Sequence, residues 1–65
     1  MEFTKDELTE ARRQIGSTLH KLRETAKTLR EKNPERCKSQ ITLAERRIRA
    51  LEIADRLIEQ ELTRL

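Results

Sequence analysis

The chain has 65 residues, enough for one small domain, and a single core of this size rarely supplies more than about 3–5 kcal/mol without disulfides, a metal or oligomerisation. Its one cysteine, Cys37, excludes an intrachain disulfide, and its one histidine, His20, offers no cluster of metal ligands. The composition is 42% charged with one Gly, one Pro and one aromatic residue, which favours helices over a β domain. The 15 basic and 12 acidic residues are mixed along the chain, so the net charge of +3 indicates a solvated surface.

The amino-terminal stretch MEFTKDELTE has no basic region followed by an apolar one, so it does not resemble a secretory signal. No later run approaches the ~18 apolar residues of a membrane span, and the polar faces of the predicted helices mix both charge signs. Together with the lone free cysteine, these features predict a cytoplasmic protein without membrane contact.

Helix 1 is predicted over residues 5–32. Thr4 followed by Glu7 is a capping box, which satisfies free backbone donors of the first turn. Phe3 and Leu8 occupy the positions of a hydrophobic staple around that cap. A seven-residue apolar repeat then marks the buried side of the helix, at Leu8, Ile15, Leu22 and Leu29.

Helix 2 is predicted to end near Thr63 and has two candidate starts. Pro34 suits the first position of a helix that Asn33 would cap, which leaves a turn of residues 33–34. Ser39 is the other candidate cap, which would extend the turn to residue 38. Two helices each ~44 Å long and joined by so short a turn must fold back antiparallel. The predicted fold is therefore an all-α hairpin of two antiparallel helices.

Helix 2 carries more apolar surface than one neighbouring helix can cover. Its main stripe faces the predicted partner and is interrupted only by Asp55: Ile41, Ala44, Ile48, Leu51, Ile58, Leu62 and Leu65. A second stripe lies on the adjoining side, at Leu43, Ala50, Ala54 and Leu57, with Ile53 beyond it. The apolar arc is roughly 200° wide against the ~100° of an ordinary surface helix. This excess predicts assembly, in the form of a dimer that makes a four-helix bundle.

The register of the hairpin follows from the residue numbers, because partners around one turn must add up to a constant. Leu29 with Cys37, Leu22 with Ala44, Ile15 with Leu51 and Leu8 with Ile58 share one total, and Ala26 with Ile41 and Leu19 with Ile48 share a total that is one higher. Arg12 and Asp55 have this second total, so they are expected side by side, and we predict a salt bridge between them. Its expected use is to fix the register, since a slipped hairpin would leave Asp55 facing Leu or Ile.

The second stripe of helix 2 also predicts how two copies meet. Its residues are Leu43, Arg47, Ala50, Ala54, Leu57 and Glu61. In a parallel pair, Arg47 would meet its own copy and so would Glu61. A two-fold axis near Ala54 instead brings Arg47 opposite Glu61 at both ends, with the small Ala54 pair at the closest approach. We therefore expect an antiparallel dimer with helix 2 against helix 2.

No motif in the sequence indicates catalysis or a cofactor. There is no Gly-rich phosphate loop, and Ser17 stands where a di-iron helix would have its Glu before His20. We therefore expect a non-enzyme that needs neither metal nor cofactor. Cys37 is interpreted as a small hydrophobic residue near the turn.

Nucleic-acid binding is the alternative function. Arg46, Arg47, Arg49 and Arg56, with Lys38, are candidates for phosphate contacts, and the calculated isoelectric point near 9.5 permits this. Against it, Glu45, Glu52 and Glu59 are expected on the same exposed face, and no aromatic residue is available for base stacking.

The segments EARRQIGSTLHKLRETAKTL and SQITLAERRIRALEIADRLIEQEL resemble short helical proteins of unknown function from gut Firmicutes, often associated with phage-like or conjugative elements. The similarity spans most of the chain and rests on the helical pattern and on the short segments STLHK and SQITLA. It implies a small intracellular protein that docks on a larger machine. The leading hypothesis is therefore a non-catalytic interaction module that self-associates and binds a protein partner, as an inhibitor or adaptor of a mobile element.

Overall fold

The structure, a computed structural model, describes residues 3–65 and consists of two helices joined by one turn. Helix α1 is Lys5–Lys32 and helix α2 is Lys38–Arg64. The two helices pack against each other along a rod with extents of 45 × 15 × 14 Å. The predicted all-α hairpin is confirmed.

The start of α1 shows the capping box that the sequence predicts. The Glu7 amide donates to Thr4 Oγ1 at 3.1 Å, and the Thr4 amide donates to Glu7 Oε1 at 2.9 Å. Asp6 and Glu7 also lie in the first turn, where they face the positive end of the helix dipole. Of the predicted staple, Leu8 is buried while Phe3 remains 57% exposed.

The turn of residues 33–37 is built on Asn33. Its side-chain oxygen accepts from the Arg36 amide at 3.3 Å, and its carbonyl accepts from the Cys37 amide at 3.0 Å. Asn33 therefore caps the segment that starts with Pro34, but this segment is a separate turn, because Cys37 departs from helical geometry with φ −99° and ψ 16°. The continuous helix begins at Lys38, which is four residues after Pro34 and one before Ser39, so that Ser39 lies inside the first turn and caps nothing.

The core of the single chain is small. Among residues 3–65 the buried apolar side chains are Leu8, Leu19, Ala26 and Ala44, two of which are alanines. The larger aliphatic residues of the predicted seam are only half-buried: Ile15, Leu22, Leu29, Ile41, Ile48, Leu51, Ile58 and Leu62. The chain exposes 5468 Å², whereas a compact monomer of 7.7 kDa would expose about 4,300 Å². One helix against another thus leaves much of the apolar surface uncovered.

Gly16 lies within α1 and has no structural requirement for a glycine. A Cβ atom added there would meet no atom within 4 Å, and no residue in the described chain has a positive φ. We expect Gly16→Ala to raise the free energy of unfolding by about 1 kcal/mol, because alanine loses less backbone entropy in a helix. Urea unfolding at a fixed protein concentration measures this change.

Ser17→Ala, at the neighbouring exposed position, is the control and should give a smaller gain. A loss of stability in Gly16→Ala would contradict the expectation, and would show that another molecule approaches the backbone at this point.

Candidate interaction surface

Ion pairs between the helices lie along one side of the hairpin, which we call the ionic edge. Arg23 Nη2 donates to Glu52 Oε2 at 2.8 Å, and Arg30 Nη2 donates to Glu45 Oε2 at 2.6 Å. The ionic edge continues with Arg12, which bonds Asp55 and Glu59. Glu45, Glu52 and Glu59 remain 39–54% exposed, and Arg49 and Arg56 of α2 lie 4.0 Å from Glu52 and Glu59. Their shorter contacts are with arginines of α1, which the sequence analysis did not include.

The Arg12–Asp55 pair is bidentate. Nε lies 3.0 Å from Oδ1 and Nη2 lies 3.2 Å from Oδ2, and the two side chains are 36% and 29% exposed. The hydrogen bond from Arg12 lowers the pKa of Asp55 below its ordinary value of 3.8, against the opposing effect of partial burial. The same bond raises the pKa of Arg12. Both groups are therefore held in their charged forms.

Gly16 interrupts the regular spacing of the ionic edge. Arg30 and Arg23 are one heptad apart, as are their partners Glu45 and Glu52. The next positions of the two series are Gly16 and Glu59, and glycine offers no cation. Glu59 instead accepts a longer bond of 3.4 Å from Arg12. Arg12 therefore serves two carboxylates, and the part of the edge beside Gly16 is an open groove.

The opposite side of the hairpin is apolar. Ala54 projects about 160° away from Glu52 around α2, so the second stripe lies on the side turned away from the ionic edge. Leu43 is 46% exposed and Leu57 is 59% exposed. Arg47 and Ala50 are also exposed, while Ala54 and Glu61 are half-buried. The six residues of the second stripe thus remain at least partly accessible in the single chain, although Leu57 also lines the groove beside Gly16.

Helix α1 adds residues to this surface that the sequence analysis did not include. Leu22, Thr25 and Leu29 line a shallow groove of about 250 Å³ together with Leu43, Ala44 and Arg47 of α2. The sequence contained an indication that α1 contributes to this surface. Leu22 projects about 100° from Arg23 around α1 and so lies on the side away from the ionic edge. We call the combined surface the apolar edge: Leu22, Thr25 and Leu29 of α1 with Leu43, Arg47, Ala50, Ala54, Leu57 and Glu61 of α2.

The charged residues of the apolar edge differ in their surroundings. Glu61 is 3.6 Å from Arg64 on the same helix, and its side chain is 19% exposed. Arg47 has no carboxylate within salt-bridge distance among residues 3–65. Arg47 can therefore pair with a carboxylate of another molecule. Glu61 would first have to release Arg64 before it could pair with Arg47 of a second copy.

The remaining candidate side chains do not form a site in the part of the chain that is described. Groups of His, Cys, Asp and Glu suited to a metal are not found among residues 3–65. His20 is exposed on α1, and Cys37 is half-buried at the turn. Neither described helix is long and apolar enough to cross a membrane.

Comparisons with protein-family models, with curated proteins and with solved structures found no match to this chain. The resemblance to short proteins of mobile elements therefore remains a prediction.

The lowered pKa of Asp55 gives its pair with Arg12 a defined pH dependence. Its contribution to stability is present above the unfolded pKa, near 3.8, and is lost as the pH falls through the lower folded pKa. We expect Asp55→Asn to lower the Tm at pH 7, and the difference from the unmodified chain to close as the pH falls below the unfolded pKa near 3.8. Thermal melts followed by circular dichroism across this range measure both effects.

Glu45→Gln is the matched control, because it removes a more exposed carboxylate that also bonds an arginine of α1. It should change the Tm less, since exposed pairs contribute only about 0.2–1 kcal/mol. A Tm difference for Asp55→Asn that stays constant down to pH 2 would show that the amide disturbs packing and that the charge is not responsible.

Proposed function

We propose that this chain is a small, non-catalytic helical interaction module that self-associates through its apolar edge and docks on a protein partner in the cytoplasm. The observation that carries the proposal is the uncovered apolar edge, in which Leu43 and Leu57 remain 46% and 59% exposed. A mixed-charge rod with one long apolar side is typical of a helix pair that is completed by further helices.

A second copy of the chain is the occupant that fits this edge. The chain exposes 5468 Å², about 1,100 Å² more than a compact monomer of its mass, and a standard interface buries about 800 Å² on each partner. The small core supports the same conclusion, because Ala26 and Ala44 contribute little burial of their own. Covering the apolar edge of each copy with the other would complete a four-helix bundle.

The charges of the apolar edge favour an antiparallel dimer. A two-fold axis within a turn of Ala54 sets the unpaired Arg47 against Glu61 of the second copy at both ends of the contact. A parallel arrangement would instead put two Arg47 side chains together and two Glu61 side chains together, and like charges in close contact destabilise an interface. The half-buried Ala54 at the centre allows the two α2 backbones to approach closely.

The same two-fold axis places the α1 helices of both copies on one side of the α2 pair. The α1 part of the apolar edge, including Leu22, is then directed toward the second copy as well. The proposed dimer thus uses both helices of each hairpin, as a four-helix bundle requires.

The bonding of the groups with shifted pKa values supports the non-catalytic part of the proposal. The pKa values of Arg12 and Asp55 are shifted, and each group is occupied by the other through two hydrogen bonds. Neither is free to exchange a proton with a substrate near neutral pH. We infer that the chain works by presenting helical surfaces, as an inhibitor or adaptor of a larger assembly.

Ala54→Arg tests the interface, because it puts a charge at the centre of the proposed contact. We expect the mass in solution to fall from that of a dimer to that of one chain, while each hairpin stays helical. Sedimentation equilibrium at tens of micromolar measures the mass, and the unmodified dimer should melt at a temperature that rises with its concentration.

Gln60→Arg is the control, since Gln60 is an exposed residue on the side of α2 away from α1 and the substitution adds the same charge. It should leave the mass unchanged. A one-chain mass for the unmodified protein, with a melt independent of concentration, would overturn self-association.

A charge reversal tests the antiparallel geometry. Arg47→Glu and Glu61→Arg should each weaken the dimer, because each puts like charges opposite one another. The double variant should recover most of the affinity, and a double-mutant cycle from sedimentation data gives the coupling. If the two effects simply add, the two-fold axis lies elsewhere along the stripe, for example near Ala50, where Leu43 would meet Leu57.

A further inference from the structure

The side of α2 that points away from α1 carries a row of basic residues. Acids border this row, with Glu45, Glu52 and Glu59 on the ionic edge and Glu61 on the apolar edge. The exposed residues of this side, which we call the outer face, are Lys38, Thr42, Arg46, Arg49, Ile53, Arg56, Gln60 and Arg64. Arg49 and Arg56 are each 74% exposed, and Arg64 is 75% exposed. The basic residues extend over nearly the whole length of the helix.

The outward side of α1 is different, because acids and bases are mixed along it. Its exposed charged residues are Asp6, Glu10, Arg13, Lys21, Glu24, Lys27 and Glu31. The two helices have similar fractions of charged residues, but the outward side of α2 is mainly basic. A surface that is only solvated would not require basic residues to be concentrated on one helix.

The ion pairs between the helices explain why basic residues dominate the outward side of α2. Glu45 and Glu52 are bound by Arg30 and Arg23 at 2.6 Å and 2.8 Å, which neutralises them on the ionic edge. Arg49 and Arg56 approach Glu52 and Glu59 only to 4.0 Å, at the limit of an ion pair. The arginines of α1 thus compete for these acids and leave Arg46, Arg49 and Arg56 available to another molecule. Arg64 differs, because it lies 3.6 Å from Glu61.

We propose that the outer face of α2 binds the phosphate backbone of a nucleic-acid duplex. Arg46, Arg49 and Arg56 are the central contacts, because the guanidinium group matches phosphate oxygens with two parallel hydrogen bonds. They lie at rises of about 4.5 and 10.5 Å along a straight helix, so they form a line of cations. A duplex offers a matching line of dense negative charge, with one charge per ~1.7 Å of its axis.

A double strand fits the outer face better than a single strand does. Single-strand binding needs aromatic side chains on which unpaired bases stack. The one aromatic residue of the chain is Phe3, which precedes α1 and is not on the outer face. Contacts to phosphates alone carry no base sequence, so the binding is independent of sequence and strongly dependent on salt.

This surface exists on one hairpin and does not require the proposed dimer. In the antiparallel dimer the two outer faces would lie side by side on the same side of the bundle, since the two-fold axis keeps both α1 helices on the other side. Self-association would then double the basic surface. Binding by the outer face and association by the apolar edge are therefore separate properties that different residues control.

The test compares two triple variants with the same change in net charge. One replaces Arg46, Arg49 and Arg56 of the outer face by Gln, and the control replaces Arg13, Lys21 and Lys27 of α1 by Gln. Binding to a random-sequence DNA duplex of about 20 base pairs, which is longer than the rod, is followed by fluorescence anisotropy at several salt concentrations. Sedimentation of each variant gives its mass, so a loss of the dimer is distinguished from a loss of DNA contacts.

We expect the outer-face variant to lose at least about tenfold in affinity and to reduce the salt slope by about 2–3, while the α1 variant stays within about twofold. Equal losses in both variants would overturn the proposal, because net charge alone would then explain the binding. So would the absence of binding at low salt by the unmodified chain, or tighter binding to polyglutamate than to DNA, which would assign the outer face to an acidic protein.

Discussion

In a two-helix hairpin each helix has a single neighbour, and this constraint determines most properties of the chain. One neighbour covers only part of the circumference of a helix, whereas the apolar residues of α2 extend over roughly 200°. The result is a core with few buried side chains and an apolar edge on which Leu43 and Leu57 are largely exposed. The small core and the exposed apolar edge therefore have the same cause.

The ionic edge has two effects that arise from the same contacts. Arg12, Arg23 and Arg30 of α1 align the two helices by binding carboxylates of α2 at 2.6 to 3.4 Å. They also compete for these acids with the arginines of α2, which come no closer than 4.0 Å to Glu52 and Glu59. The contacts that align the hairpin thereby leave the outward side of α2 mainly basic, although the net charge of the chain is only +3.

The hairpin therefore has three long surfaces of different character: an ionic edge that is satisfied within the chain, an apolar edge and a basic outer face. The first contributes to the register. The second carries Arg47 and Glu61 at opposite ends of one stripe, and a second copy of the chain is its proposed partner. The third is mainly basic, and a nucleic-acid duplex is its proposed partner.

Both helices, the cap at Thr4 and the pairing of Arg12 with Asp55 could be predicted from the sequence, because these depend on local hydrogen bonds and on a periodicity that one turn converts into a register. The start of α2 could not be predicted, since Asn33 organises a separate turn before Cys37 departs from helical geometry. The partner that each charge takes was also beyond prediction from the sequence. Glu45 and Glu52 have arginines within four residues on their own helix, yet they bind Arg30 and Arg23 of the other. Such a choice depends on distances across the interface, which no pattern within one helix contains.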